Sequence, residues 1–166
     1  MKAAKTRQIT EEMRTVAKEE DETPEKICRR VAAGTVVITR NIERKNVIPI
    51  GIGEGLLTKI NANVGTSADL CDPSLEVEKA KIAVKYGADT VMDLSTSGNL
   101  DEIRRAILNA VNVPIGTVPI YQTAIEATKN KGAIIHMDED DIFNTIERHA
   151  KDGVDFMTVH CGVTQQ

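Results

Sequence analysis

Aromatic residues are nearly missing from this 166-residue chain: they make up 2% of it, as two tyrosines (Tyr86, Tyr121) and two phenylalanines (Phe143, Phe156). A core without rings must be built from Ile, Val, Leu, Ala and Met, a composition that suits parallel strands covered by helices. Cysteines number three, Cys28, Cys71 and Cys161; an odd, widely spaced set fits neither a disulfide framework nor a C-x-x-C metal or cluster site, and they read as buried or partly buried free thiols. No run approaches the roughly eighteen uncharged apolar residues of a membrane helix. Met1-Lys2-Ala3-Ala4-Lys5 leads into polar Thr6-Arg7-Gln8 rather than an apolar signal core, so no membrane association is expected and the cytoplasm is the default location. Basic excess is lacking too. With 21 basic against 25 acidic residues, interleaved, and a net charge of -4, there is no basic stripe to follow a phosphate backbone, and nucleic acid is not an expected partner. The histidines, His136, His149 and His160, form no HxxxH or HExxH pair.

What is present suffices for one core. Residues 1–23 are charged and weakly periodic, with an acidic cluster at 19–22, and read as an arm against a neighbour. Thr23-Pro24 is an N-cap followed by proline at the first helical position, and Ile27, Val31 and Ala32 share a face until Gly34. A short apolar run, Val36-Val37-Ile38, follows.

From residue 56 the pattern becomes regular. An extended segment at 57–62 precedes a helix opened by Asp72-Pro73, striped by Val77, Ala80 and Val84 and closed by Gly87. A strand at 89–94 and a loop at 95–98 precede a helix capped by Asn99 with Glu102 three residues on, striped by Leu100, Ile103, Ile107 and Ala110. A third buried strand spans 113–120, and a long connection over 121–137 leads to a helix striped by Ile142, Phe143, Ile146 and Ala150. Residues 154–159 form a fourth strand. Strands alternating with helices imply right-handed parallel crossovers, in an open doubly wound sheet or part of a (β/α)8 barrel. Gly51-Ile52-Gly53-Glu54-Gly55 comes before the first clear strand and lacks dinucleotide-fingerprint spacing, which favours the barrel. Such a barrel needs about 250 residues, so the expected fold is its N-terminal half, about four βα units, with two open edges. The division expected is an arm, helix and connecting loop over 1–55 and the half-barrel over 56–166.

Barrel enzymes carry reactive groups at the C-terminal ends of strands, here Asn63, Met92, Tyr121 and His160; the first three are spaced 29 residues apart. Each has a plain reading beside a functional one. Asn63 either closes an Asx turn or reads a polar ligand edge. Met92 is a core gap-filler or faces the barrel mouth, and its neighbour Asp93 is an ion-pairing candidate. The Tyr121 ring covers a ligand or packs. His160 binds metal, shuttles protons or donates a structural bond. Ser95-Thr96-Ser97-Gly98 is an anion-binding helix entrance or merely a turn. Lys59 as a Schiff-base lysine lacks a neighbour to lower its pKa.

Taken together, Gly51-Ile52-Gly53-Glu54-Gly55, Lys59-Ile60-Asn61-Ala62-Asn63-Val64-Gly65, and the stretches 87–95, 114–122 and 153–163 resemble the phosphomethylpyrimidine synthase family, over nearly the whole chain and in the family's order. The resemblance implies a barrel lyase of thiamine biosynthesis. Such a lyase converts 5-aminoimidazole ribonucleotide to 4-amino-5-hydroxymethyl-2-methylpyrimidine phosphate, with S-adenosylmethionine, a [4Fe-4S] cluster and a divalent metal (zinc or iron); the cofactors carry the hard chemistry. It also implies that the substrate-contacting positions of this half are Asn63, Met92, Tyr121 and His160. The family's Ser-Arg-Gly and Asp-Gly-Leu-Arg segments, its two metal-binding histidines and its cysteine triplet have no match here. Ile38-Thr39-Arg40-Asn41 and Ser97 depart from the family pattern. Gln165-Gln166, directly after the fourth strand, reads as a truncation. The chain alone is therefore expected to be inactive and to need a complementing C-terminal half, or to pair as a homodimer. The alternative is a non-catalytic remnant, or a half-barrel that oligomerises and at most binds nucleotide.

Overall fold

A computed structural model describes residues 1–160 and residue 162. It begins with three helices, α1 (Lys2–Lys5), α2 (Glu11–Glu19) and α3 (Pro24–Ala33), followed by an antiparallel pair, β1 (Val36–Thr39) and β2 (Ile50–Gly53). Residues 1–23, expected as an arm against a neighbour, form the helices α1 and α2. Thr10 accepts from the Met13 amide to cap α2, Thr23 accepts from the Lys26 amide to cap α3, and satisfied first-turn amides let these short helices form. Ala4, Met13, Val16, Ala17, Ile27, Cys28, Val31 and Val36 then close a core of their own. The polar surface of α2 hides this in the sequence, because only its Met13, Val16 and Ala17 stripe is apolar.

The rest is a parallel sheet in the order β3 (Asn61–Val64), β4 (Thr90–Asp93), β5 (Ile115–Thr117), β6 (Phe156–Met157). The connecting helices are α4 (Pro73–Lys85), α5 (Leu100–Ala110), α6 (Pro119–Lys131) and α7 (Glu139–Asp152), with a 3-10 turn at Ile134–His136 before α7. Asp72, Asn99 and Asp138 cap α4, α5 and α7, the last through a capping box with Asp141. Successive strand residues point to opposite faces. On one face Val64, Val91, Ile115 and Met157 pack with Ala80, Ile103, Ile107, Leu108, Val111 and Val154. The other face carries Asn61, Asn63, Thr90, Met92, Gly116 and Phe156, with Asn63, Met92, Gly116 and Phe156 in register across all four strands.

The strands expected over 113–120 and 154–159 are shorter, Ile115–Thr117 and Phe156–Met157, and three other elements also differ from the sequence-based expectation. The first strand starts four residues late, at Asn61, because carboxylates occupy the amides before it: Leu57 N–H donates to Glu20 (2.8 Å) and Ile60 N–H to Asp89 (2.7 Å). Residues 121–137 are mostly helix rather than connection, since α6 starts at Pro119 and buries polar Gln122 and Thr123 along with Ala127, a face with no apolar signature. In α7 the inward residues are Thr145 and His149, while Phe143 is 65% exposed and Ala150 lies outside.

The hairpin loop is joined to the sheet at its lower edge by a buried ion pair. Arg44 pairs with Asp155, whose side chain is wholly buried, and also donates to the carbonyls of Leu108 (2.9 Å), Val111 (2.7 Å) and Val113 (3.1 Å). Asp155 further accepts from the amides of Asn41 and Ile115, both at 2.8 Å. Removing one partner strands the other charge in a dry site. Arg44→Met is expected to cost about 3–5 kcal/mol, read by urea unfolding; a loss under about 1 kcal/mol would show the pair to be dispensable.

Candidate functional site

The open sheet face is polar at β3 and apolar toward β6. Thr90 Oγ1 donates to Asn61 Oδ1 (2.8 Å), and Asn61 Nδ2 donates to Asn63 Oδ1 (2.9 Å). This relay fixes which way the Asn63 amide points and leaves its NH2 group to donate elsewhere. Asn63 lies inside β3, not after it, and its register partner is Met92. The Met92 thioether is reached by the Thr158 hydroxyl at 3.9 Å, which ties β4 to the segment leaving β6. Gly116 sits between them for a steric reason: a Cβ there would lie 2.3 Å from the Phe156 ring. The absent side chain thus lets that ring lie against β5.

Tyr121, expected at a strand end, is instead the third residue of α6 and is 40% exposed. Its ring centroid lies 6.3 Å from that of His160, with the planes tilted by 31°. The structure therefore brings the four sequence-selected residues together as two pairs, Asn63 beside Met92 and Tyr121 beside His160. Thr158, two residues before His160, contacts the first pair.

Other candidates prove to be structural. Asp93 is not ion-paired at the mouth: it is buried and accepts from the Ser95 amide (2.9 Å) and hydroxyl (2.5 Å). Burial raises its pKa against those hydrogen bonds. The loop after β4 is tied to the loop after β3, with Thr66 N–H donating to Ser95 Oγ and Thr66 Oγ1 to the Ser97 carbonyl at 2.6 Å. Gly65, at φ +149°, allows this approach, since a Cβ would sit 2.6 Å from the Leu94–Ser95 backbone. These groups are spent on each other, which favours the turn reading over anion binding. Lys59 is ion-paired with Glu20 at 2.5 Å, so its amine is no free nucleophile. Cys28 is buried but Cys71 is exposed, against expectation, because Cys71 lies on the surface loop after β3; Cys161 lies outside the described residues.

Sequence reasoning missed a buried polar layer behind the mouth, where Arg104, Gln122, Thr117 and His149 meet. Arg104 is 2% exposed and reaches Asp101, Asp152 and Gln122. His149 Nδ1 lies 2.9 Å from the Thr117 hydroxyl, and Nε2 lies 2.8 Å from Gln122 Oε1. Burial, then the nearby Arg104 and Arg148 charges, push the His149 pKa down to about 4 against the opposing pull of Asp101 and Asp152. The ring is neutral near pH 7; Nδ1 faces the Thr117 hydroxyl, which can donate or accept, and Nε2 faces both Gln122 Oε1 and the Arg104 Nη1 donor at 3.1 Å. A sequence signal existed in that His149 lies three residues after Ile146, on the inward side of α7.

Among the described residues no group of three or more His, Cys, Asp or Glu is placed to hold a metal ion. Cys28 is in the N-terminal core and Cys71 on a loop, so they offer no thiolate cradle for an iron–sulfur cluster. Among those residues no helix is long and apolar enough to cross a membrane.

A profile of the Radical SAM ThiC family matches residues 1–166. The chain belongs to the Radical SAM ThiC family. Curated relatives named phosphomethylpyrimidine synthase are 59% identical over 159 residues in Methanopyrus kandleri, 63% over 158 in Thermodesulfovibrio yellowstonii and 57% over 166 in Pyrococcus furiosus. These matches cover 95%, 95% and 100% of this chain but only 37%, 37% and 39% of the relatives. The chain thus spans well under half the length of these family members.

Two outcomes test the geometry. Gly116→Ala is expected to destabilise by about 1–3 kcal/mol through overpacking, and Phe156→Leu in the same chain to recover most of it; thermal unfolding of both variants decides, and no loss would mean that the ring does not occupy that space. Because His149 is neutral in the fold and titrates near 6.5 when unfolded, the unfolded chain takes up its proton first as pH falls from 6.5 toward 4, and stability drops across that window. Asp93 works in the opposite sense. His149→Gln is expected to flatten the decline between pH 6.5 and 4 measured by denaturant titration; an unchanged slope would contradict a neutral buried His149.

Proposed function

We propose that this chain supplies the N-terminal half of a (β/α)8 barrel, residues 56–166 following an N-terminal unit over 1–55, in a cytoplasmic phosphomethylpyrimidine synthase acting on 5-aminoimidazole ribonucleotide. The observation that carries the reading is the pairing of Asn63 with Met92 and of Tyr121 with His160 at the exits of one parallel sheet, in a chain 57–63% identical to three proteins of that name. In this reading the Asn63 NH2 donates to an acceptor on the substrate and Met92 offers a polarizable apolar surface to a flat heterocycle. Tyr121 and His160 supply a hydroxyl and an imidazole at the opposite side. S-adenosylmethionine and a [4Fe-4S] cluster would supply the radical chemistry. Neither the cluster nor the divalent metal finds ligands among the described residues, so those ligands belong to a complementing C-terminal half, and the assembly is a homodimer or such a complemented barrel. Nothing favours a non-catalytic remnant: the strand-exit residues are intact.

The test uses this chain assembled with a cluster-bearing C-terminal half of the family. Asn63→Ala removes one or two hydrogen bonds, about 1–3 kcal/mol, so 5-aminoimidazole ribonucleotide is expected to bind roughly 5- to 150-fold more weakly by calorimetry, with turnover reduced under anaerobic conditions. Residues 1–166 alone are expected to give no turnover. Unchanged binding by the Asn63→Ala variant would overturn the assignment.

A further inference from the structure

Tyr121 is exposed on the first turn of α6, and α6 starts without a side-chain cap. Something else must fix that turn. The residue next to Tyr121, Gln122, is buried and contacts four polar side chains. Its Oε1 accepts from Arg104 Nη1 and faces His149 Nε2, and its Nε2 donates to Asp101 and Glu126, each at 2.8 Å. A primary amide offers two donors and two acceptor lone pairs, so both donors here are used and the oxygen is held by Arg104, and the partners come from α5, α6 and α7. All four are themselves held. Arg104 is bound to Asp101 and Asp152, Glu126 receives Arg148 at 2.7 and 2.9 Å, and His149 is fixed through Thr117 on β5. Tyr121 and Gln122 also border the same small cavity with Leu100, Thr117, Val118 and His149.

We propose that Gln122 is a positioning residue for Tyr121: its amide, gripped by Arg104, Asp101 and His149, sets the rotation of the first turn of α6 and so holds the Tyr121 ring beside His160. An amide with both donors and its oxygen engaged in a dry site resists rotation, because any movement leaves several groups unpaired at once. The importance of this for substrate rests on the function proposed above; the geometric claim does not.

The experiment therefore has two arms, both with this chain assembled with a cluster-bearing C-terminal half of the family. In the first, tyrosines are replaced by 3-fluorotyrosine and the Tyr121 fluorine signal is assigned by its loss in Tyr121→Phe. His149→Leu, 28 residues away in sequence, is expected to shift or broaden that signal without ligand while leaving that of Tyr86 in place. If His149→Leu does not fold, Asp101→Ala, at a partly exposed position, must give the same selective shift. A Tyr121 signal unmoved by the folded variant overturns the proposal. In the second arm, 5-aminoimidazole ribonucleotide is titrated into the wild type, the variant, Tyr121→Ala and the double variant. The variant is expected to bind roughly tenfold more weakly, and its effect to vanish in the Tyr121→Ala background, as for residues acting through one another; multiplying effects would overturn action through Tyr121. No binding by the wild type, or full binding by Tyr121→Ala, would sink the substrate reading while the fluorine result still judges the positioning role.

Discussion

The Asp155 carboxylate is the point on which the architecture hangs. A fully buried charge is tolerated only if its hydrogen-bonding capacity is filled, and the groups that fill it come from two places: Arg44 and the Asn41 amide in the hairpin loop, and the Ile115 amide at the start of β5. Asp155 itself leads into β6. One side chain thus fixes the N-terminal unit, the third strand and the fourth strand of the sheet together. The two-residue strand β6 has little ladder of its own, so its place beside β5 depends on this cluster and on the Phe156 ring over Gly116. His160 inherits its position from that strand, and its approach to Tyr121 follows.

The same logic separates structure from chemistry at the sheet exits. Groups behind the mouth, such as Asp93, Ser95, Gln122 and His149, are buried and bonded to each other. Groups on the open face or facing outward, Asn63, Met92, Tyr121 and His160, are partly or largely exposed and keep capacity to spare. A rigid polar layer supporting a less committed front is how binding sites are commonly held in working geometry.

Much of this was legible in the sequence. The β4 segment, the caps Asp72 and Asn99 and the α5 stripe announced the βα units, whereas Asn63 and Met92, expected at strand ends, lie inside β3 and β4, and Tyr121 lies on α6. What was illegible shares a cause: polar side chains replacing apolar ones on buried faces. Gln122, Thr123, Thr145 and His149 are buried through hydrogen bonds, so α6 looked like a connection and α7 was assigned an inward Phe143 that the structure turns out. The helices α1 and α2 were missed because the apolar stripe of α2 is three residues wide and their stability comes from caps and tertiary packing. Arg44 and Asp155, 111 residues apart, carry no local pattern at all.

The most direct measurement is a crystal structure of this chain, assembled with a cluster-bearing C-terminal half of the family, with 5-aminoimidazole ribonucleotide bound. The account predicts the ligand against the open sheet face, with Asn63, Tyr121 and His160 within hydrogen-bond distance and Met92 in van der Waals contact. A ligand seated elsewhere, with that face filled by protein side chains, would contradict it.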